Sequence, residues 1–219
     1  MVDSTGGQEG STKALIIVDV QNDFCTGGSL CVPNNEEIFP VIDKLRASPY
    51  KEMWKSVIRT RDWHPADHCS FQVNNEGSEL FKTITLPTGV EQVMWPVHCV
   101  QETPGAEWHP KCPVQDGEIV VNKGTDKTVD SYSGFGTPPE KTTLLDTLKK
   151  DGITEIYCVG LAYDYCVGST AEDGAKNGFK TYVVMDGTKS VNAATEEPMK
   201  KRLADAGVIP ISLDQVPKA

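Results

Sequence analysis

Residues 13–20 read KALIIVDV. Four consecutive apolar residues, Leu15 to Val18, carry no polar alternation. A strand with one wet face would alternate with period two, so this run reads as a strand buried on both faces, as in a parallel sheet. Five more runs of strand length follow: KSVIRT (55–60), EIVVNK (118–123), EIYCVGL (155–161), KTYVVMD (180–186) and GVIPISL (207–213). Amphipathic helical patterns separate them at 36–48, 141–151, 166–178 and 196–206. Alternating strand and helix predict an α/β fold: a doubly wound, six-stranded, mostly parallel sheet with helices on both faces. The exception is 62–117, rich in Pro, Gly, Asn, Trp and His and without clear periodicity. A segment that long without regular structure in a compact domain is usually functional.

The rest of the chain narrows the class. Its 219 residues suit one domain, expected over 13–219, behind a loosely ordered or disordered polar lead-in over 1–12. Thirty-one acidic against twenty-one basic residues give a net charge of −10, with no Lys/Arg cluster, which argues against nucleic-acid and anionic-membrane partners. No stretch has the length of a membrane span, and the N-terminus lacks the basic and apolar regions of a signal peptide. Seven scattered cysteines without a CxxC pair fit reduced thiols in a cytoplasmic protein. That spacing excludes a zinc ribbon and a thioredoxin-type site.

Ligands in open α/β sheets bind at the carboxyl ends of the strands. Three chemically capable residues stand there. Asp19 closes ALIIVD, Lys123 closes IVVNK, and Cys166 follows EIYCVGL through the connector AYDY. Taken singly, each has a plainer reading: a turn cap, a solvated strand end, a packed thiol. A helix starting near 164–166 would present unpaired N–H groups that favour a thiolate, a lysine would act in the same direction, and a carboxylate would serve as general base.

A second constellation is TRDWHPADH (60–68) with WPVHC (95–99). Asp62 and His64 are two apart on an extended segment and share a side. Of four histidines, His64, His68 and His98 fall in these two motifs. Two imidazoles and a carboxylate suit zinc, iron or manganese with coordination positions to spare. His68 reads as a further ligand or as a partner of one. Phe24, Trp63, Trp95, Tyr132 and Tyr163 frame both motifs; core packing explains most, while Phe24, Trp95 and Tyr132 are placed to stack on a flat ring. GFGTPP (134–139) follows no strand and reads as a turn rather than a nucleotide loop.

Together IVDVQNDFC, TRDWHP, WPVHC, VVNKGTD, YSGF and VGLAYDYCV resemble the nicotinamidase branch of the isochorismatase-like cysteine hydrolases, over roughly 13–213. The resemblance implies a six-stranded sheet, a triad of Asp19, Lys123 and Cys166, and a cis peptide bond between Leu161 and Ala162. It implies oxyanion donors at the N–H groups of Ala162 and Cys166. It also implies one divalent metal on Asp62, His64 and His98, zinc in first place with iron or manganese as alternatives. The activity implied is hydrolysis of nicotinamide to nicotinate and ammonia through a cysteine thioester, in NAD salvage. In that reading the metal anchors the ring that Phe24, Trp95 and Tyr132 hold, and pyrazinamide is a second substrate. Three competitors stand beside it: a cysteine amidase for another small amide, a metal-only hydrolase or oxygenase, and a non-catalytic binding module. Homo-oligomerisation is left open.

Overall fold

The computed structural model describes residues 11–219. Most of the expected lead-in, 1–12, therefore lies outside the described residues; Thr12 already bonds to Thr154, its carbonyl accepting from Thr154 N at 2.9 Å. Among the described residues eight strands occur: β1 (Lys13–Val18), β2 (Trp54–Asp62), β3 (Thr83–Thr85), β4 (Glu91–Val93), β5 (Ile119–Lys123), β6 (Glu155–Leu161), β7 (Lys180–Lys189) and β8 (Ile209–Ile211). Six of them, all from the predicted runs, form one sheet in the order β5-β2-β1-β6-β7-β8, with every neighbouring pair parallel. The irregular segment departs from expectation in one respect. It folds its own antiparallel hairpin, β3 on β4, where TIT and EQV are too short to register as periodic runs.

Strand alternation divides β1 between two cores. Leu15 and Ile17 face α1 (Phe39–Leu45), whose Phe39, Ile42 and Leu45 are fully or almost fully buried. Ala14, Ile16 and Val18 face the other layer, formed by α2 (Leu144–Lys150), α3 (Gly168–Lys176) and α4 (Ala193–Asp205) through Leu144, Leu148, Ala171, Met199 and Leu203. Each such Leu or Ile removed from water stabilises the fold by about 1.5–3 kcal/mol. The sheet is thus covered on both faces, as its unbroken apolar runs require.

Two helical expectations shift. The pattern over 36–48 divides into a 3₁₀ turn, Asn35–Ile38, and the short α1. The helix expected from 166 begins instead as a π-helical turn, Tyr163–Val167, that passes into α3 at Gly168. No helix among the described residues is long and apolar enough to cross a membrane.

The chain enters the sheet at its centre, builds outward through β2 and β5, then returns to β6 on the other side of β1. The gap between the carboxyl ends of β1 and β6 is therefore the topological switch point, where such sheets leave a crevice.

Candidate active site

Asp19 follows β1 in a left-handed conformation, φ 49°. Its amide donates to Thr60 O at 3.0 Å, and its Oδ1 accepts from Thr60 Oγ1 at 2.7 Å. These bonds from β2 turn the carboxylate inward, fully buried. Lys123 ends β5 and is fully buried as well. Its Nζ lies 2.8 Å from Asp19 Oδ2, 2.5 Å from Asp62 Oδ1, 3.1 Å from Ser131 O and 3.4 Å from Cys166 Sγ. Asp19, Asp62 and Cys166 present atoms within 4.8 Å of one another. The structure therefore brings together the three residues read from three strand ends.

Cys166 reaches this point through the π turn. Tyr165 N and Val167 N both donate to Ala162 O, at 3.1 and 3.0 Å. The Asp164 carboxylate accepts from Val191 N at 2.9 Å and Asn192 N at 3.2 Å, tying the turn to the start of α4. The Leu161–Ala162 peptide bond is cis. Cys158, eight residues earlier, is equally buried but lies among the apolar side chains under α2, α3 and α4.

Electrostatics at rest run against the thiolate that the helix start and the lysine were expected to favour. Burial pushes the Cys166 thiol well above its ordinary value; Lys123 opposes this, while Asp19 and Asp62 add to it. Burial outweighs the single cation because the cation is shared with two carboxylates. Burial also lifts Asp19, against Lys123 and with help from Asp62, to about 6. Burial alone would lower Lys123, yet Asp19 and Asp62 hold it well above the usual lysine range. The resting site is thus a neutral thiol beside a carboxylate and a lysinium. Asp19 Oδ2 pairs with Lys123 Nζ at 2.8 Å and keeps a second lone pair beside the Cys166 thiol. That lone pair is available to accept a proton.

The second constellation also converges. Asp62 closes β2 opposite Lys123 in the β2–β5 register. His64 N donates to Cys99 O at 3.0 Å, and Gln101 N to His64 O at 2.8 Å, so the irregular segment returns alongside His64 and delivers His98. Asp62 Oδ2 stands 3.5 Å from His64 Nε2 and 3.8 Å from His98 Nε2. Each imidazole is oriented from behind: His64 Nδ1 donates to Gly124 O, and His98 Nδ1 to Pro96 O, both at 2.8 Å. Both Nε2 atoms consequently point at Asp62. His64 Nε2 is buried without a partner among the described residues.

Burial alone would raise Asp62, but Lys123 and then His64 hold it far below the usual carboxylate range. Burial, with His64, lowers His98 to about 4 and keeps it neutral. Burial would lower His64 too; Asp62 reverses the sign and raises it. A carboxylate, a neutral imidazole and an orphaned imidazole nitrogen, aimed at one point, fit a divalent cation.

His68 is placed differently. Its ring lies against that of His64, centroids 4.1 Å apart. Its Nε2 donates to Val129 O at 3.1 Å and its Nδ1 accepts from Ser70 Oγ at 2.8 Å. His64, His68 and Asp130 do offer atoms within 4.8 Å of one another, but both nitrogens of His68 are engaged.

A cavity joins the two constellations. Phe24, Trp95 and Tyr132 line it with Asp62, His98 and Cys166. Trp95 Nε1 donates to the Tyr132 hydroxyl at 3.0 Å, which fixes both rings. Of the other framing aromatics, Tyr163 packs in the core under α4 and Trp63 stacks on Arg61, 3.9 Å from guanidinium to ring. Tyr163 thus packs as expected, and Tyr165 joins the cavity lining, its ring centroid 4.9 Å from that of Trp95. Neither Tyr165 nor Asp130, another lining residue, was expected from the sequence. Reading the turn as π-helical would have moved the aromatic phase from Tyr163 to Tyr165; Asp130 carried no signal.

Comparison with known proteins agrees with this arrangement. Residues 13–215 match the model of the isochorismatase domain. The nicotinamidase of Acinetobacter baylyi is 39% identical over 209 residues, covering 94% of each chain. A nicotinamidase/pyrazinamidase structure from Acinetobacter baumannii superposes with a TM-score of 0.87 at 37% identity, covering 96% of this chain and all of that one. The pyrazinamidase of Pyrococcus horikoshii, solved in complex with zinc, gives 0.76 at 32% identity, covering 91% and 98%.

Proposed function

The chain belongs to the isochorismatase-domain family, and from that premise we propose that this amidohydrolase is a nicotinamidase working through a thioester on Cys166. The observation that carries the proposal is the convergence of Asp19 and Lys123 on Cys166, which lines a cavity shared with Phe24, Trp95, Tyr132, Asp62 and His98. A flat heteroaromatic amide suits such a cavity better than an aliphatic one.

Asp62, His64 and His98 would hold a divalent cation, zinc by the chemistry of the donors and by the zinc complex of the Pyrococcus relative, which would serve as an anchor for the pyridine nitrogen. The remaining chemistry belongs to the chain. Phe24, Trp95 and Tyr132 hold the ring. Asp19 Oδ2 takes the Cys166 proton as sulfur attacks the amide carbon, so the thiolate forms only during attack. Lys123 stabilises the charge as it passes from oxygen to sulfur. The N–H groups of Ala162 and Cys166 receive the tetrahedral oxyanion. Asp19 returns its proton to the departing nitrogen, ammonia leaves, and the C–S bond of the acyl-enzyme remains. Water then adds to the thioester carbon, giving one proton to Asp19; collapse breaks the C–S bond, and the thiol is restored with release of nicotinate. His68 supports the His64 ring rather than ligating.

An ammonia-release panel over nicotinamide, pyrazinamide and small aliphatic amides, with and without a chelator, tests the reading. Fast turnover of the two heteroaromatic amides, slow turnover of the aliphatic ones and a raised KM after chelation are expected. Preference for an aliphatic amide would overturn the substrate assignment.

A further inference from the structure

Glu140 is a buried carboxylate with no part in the mechanism above. It follows the GFGTPP turn and is only 8% exposed. Its Oε2 accepts from Gly124 N at 2.8 Å; its Oε1 accepts from Thr125 N and Thr125 Oγ1, each at 2.7 Å. Burial alone would push its carboxyl up, but hydrogen bonds, those from Thr125 and Gly124 among them, hold it below the ordinary glutamate range. One carboxylate thus gathers two successive backbone amides and one hydroxyl.

Those amides belong to the residues immediately after Lys123. The Gly124 carbonyl is the acceptor that orients His64. Gly124 has φ +62°, and a Cβ there would meet His64 Cε1 at 2.3 Å, so the peptide packs directly on the imidazole. Ser131, at the other side of Glu140, supplies the carbonyl that accepts from Lys123 Nζ at 3.1 Å. The turn that Glu140 holds therefore contacts His64 and follows Lys123 directly in the chain.

We propose that Glu140 is a positioning residue for both halves of the site: by clamping the Gly124–Thr125 turn, it aims the His64 imidazole at the metal position and seats Lys123, the residue before that turn, between Asp19 and Asp62. The inference rests on the reading of His64 as a metal ligand and Lys123 as a triad member. Partners that orient a ligand from behind are worth about 10- to 100-fold in metal affinity. Glu140→Gln keeps the shape but replaces one acceptor oxygen by an NH₂ facing an N–H or hydroxyl donor.

The test is zinc affinity, read by titrating a chromophoric chelator into the zinc-loaded holoenzyme, with thermal unfolding of the metal-free protein alongside. Glu140→Gln is expected to bind zinc at least about tenfold more weakly while its metal-free form unfolds close to the wild-type temperature. Zinc affinity within about twofold of wild type overturns the proposal, that span being too small for a lost orienting partner. If Glu140→Gln does not fold, Thr125→Val removes the one hydroxyl bonded to the carboxylate. It is then expected to weaken zinc several-fold, and unchanged zinc affinity overturns the proposal. His98→Ala in the same assay separates the two levels. If it binds zinc as tightly as wild type, the ligand set itself is wrong and Glu140's role falls with it. If it loses zinc while Glu140→Gln does not, Glu140's role alone is wrong.

Discussion

Asp19 and Lys123 stand at the ends of two strands of one hydrogen-bonded sheet and Cys166 on the π turn that follows a third, whereas His64 and His98 are held by carbonyls and amides of irregular backbone. The first group has its geometry set by strand register and needs a dry, stiff frame, because a neutral thiol must lose its proton within reach of one carboxylate oxygen. The second group converges on a point that a cation would itself reinforce, so its frame is built from single hydrogen bonds behind each imidazole. Lys123 and Asp62 join the two, 2.5 Å apart. On the proposed function, the difference assigns chemistry to the sheet half and ring binding to the loop half, and the two should separate in kinetics.

The largest separation is expected from Cys166→Ala. It removes the nucleophile from the sheet half and leaves the loop half intact. Ammonia release should fall by at least about a thousandfold, with nicotinamide still bound in a direct binding assay. Loss of binding together with turnover would mean that the halves are not independent. His98→Ala makes the reverse cut. Zinc content measured by elemental analysis should fall, KM should rise at least about tenfold, and kcat at saturation should change less than KM. A kcat collapse at unchanged KM would place the metal in the chemistry rather than in ring binding.

The smallest effect is in pH. Asp19, with its carboxyl at about 6, must be ionised to accept the thiol proton. The rate kcat/KM should therefore be flat above this value and decline as pH falls through it, tending to tenfold per pH unit. A profile that kept rising into the alkaline range would point to a thiolate formed before substrate binds.

Legibility followed the same division. The six strands of the sheet could be read because each carries a short cluster of β-branched or other apolar residues, unbroken in the central β1 and β6, and Asp19 and Lys123 because they close such runs. The metal half could be read because His64 and His98 are rare residue types gathered in two short motifs. Three features could not. The π turn depends on how Asp164 meets Val191 and Asn192, contacts made only in the folded chain. It decides that Tyr165 rather than Tyr163 lines the cavity. The thiol's neutral state depends on burial and on the sharing of Lys123 between two carboxylates, neither of which a motif records. Glu140 reaches back fifteen and sixteen residues to backbone amides, and backbone amides leave no mark in a sequence.

The account turns on a covalent bond between substrate carbon and Cys166 Sγ. Rapid acid quench of the enzyme during nicotinamide turnover, followed by proteolysis and mass spectrometry, tests it directly. The expected result is a nicotinoyl group on the Cys166 peptide, absent from the Cys158 peptide and from Cys166→Ala. Undiminished ammonia release by Cys166→Ala, with no acylated peptide at any quench time in the wild type, would contradict it.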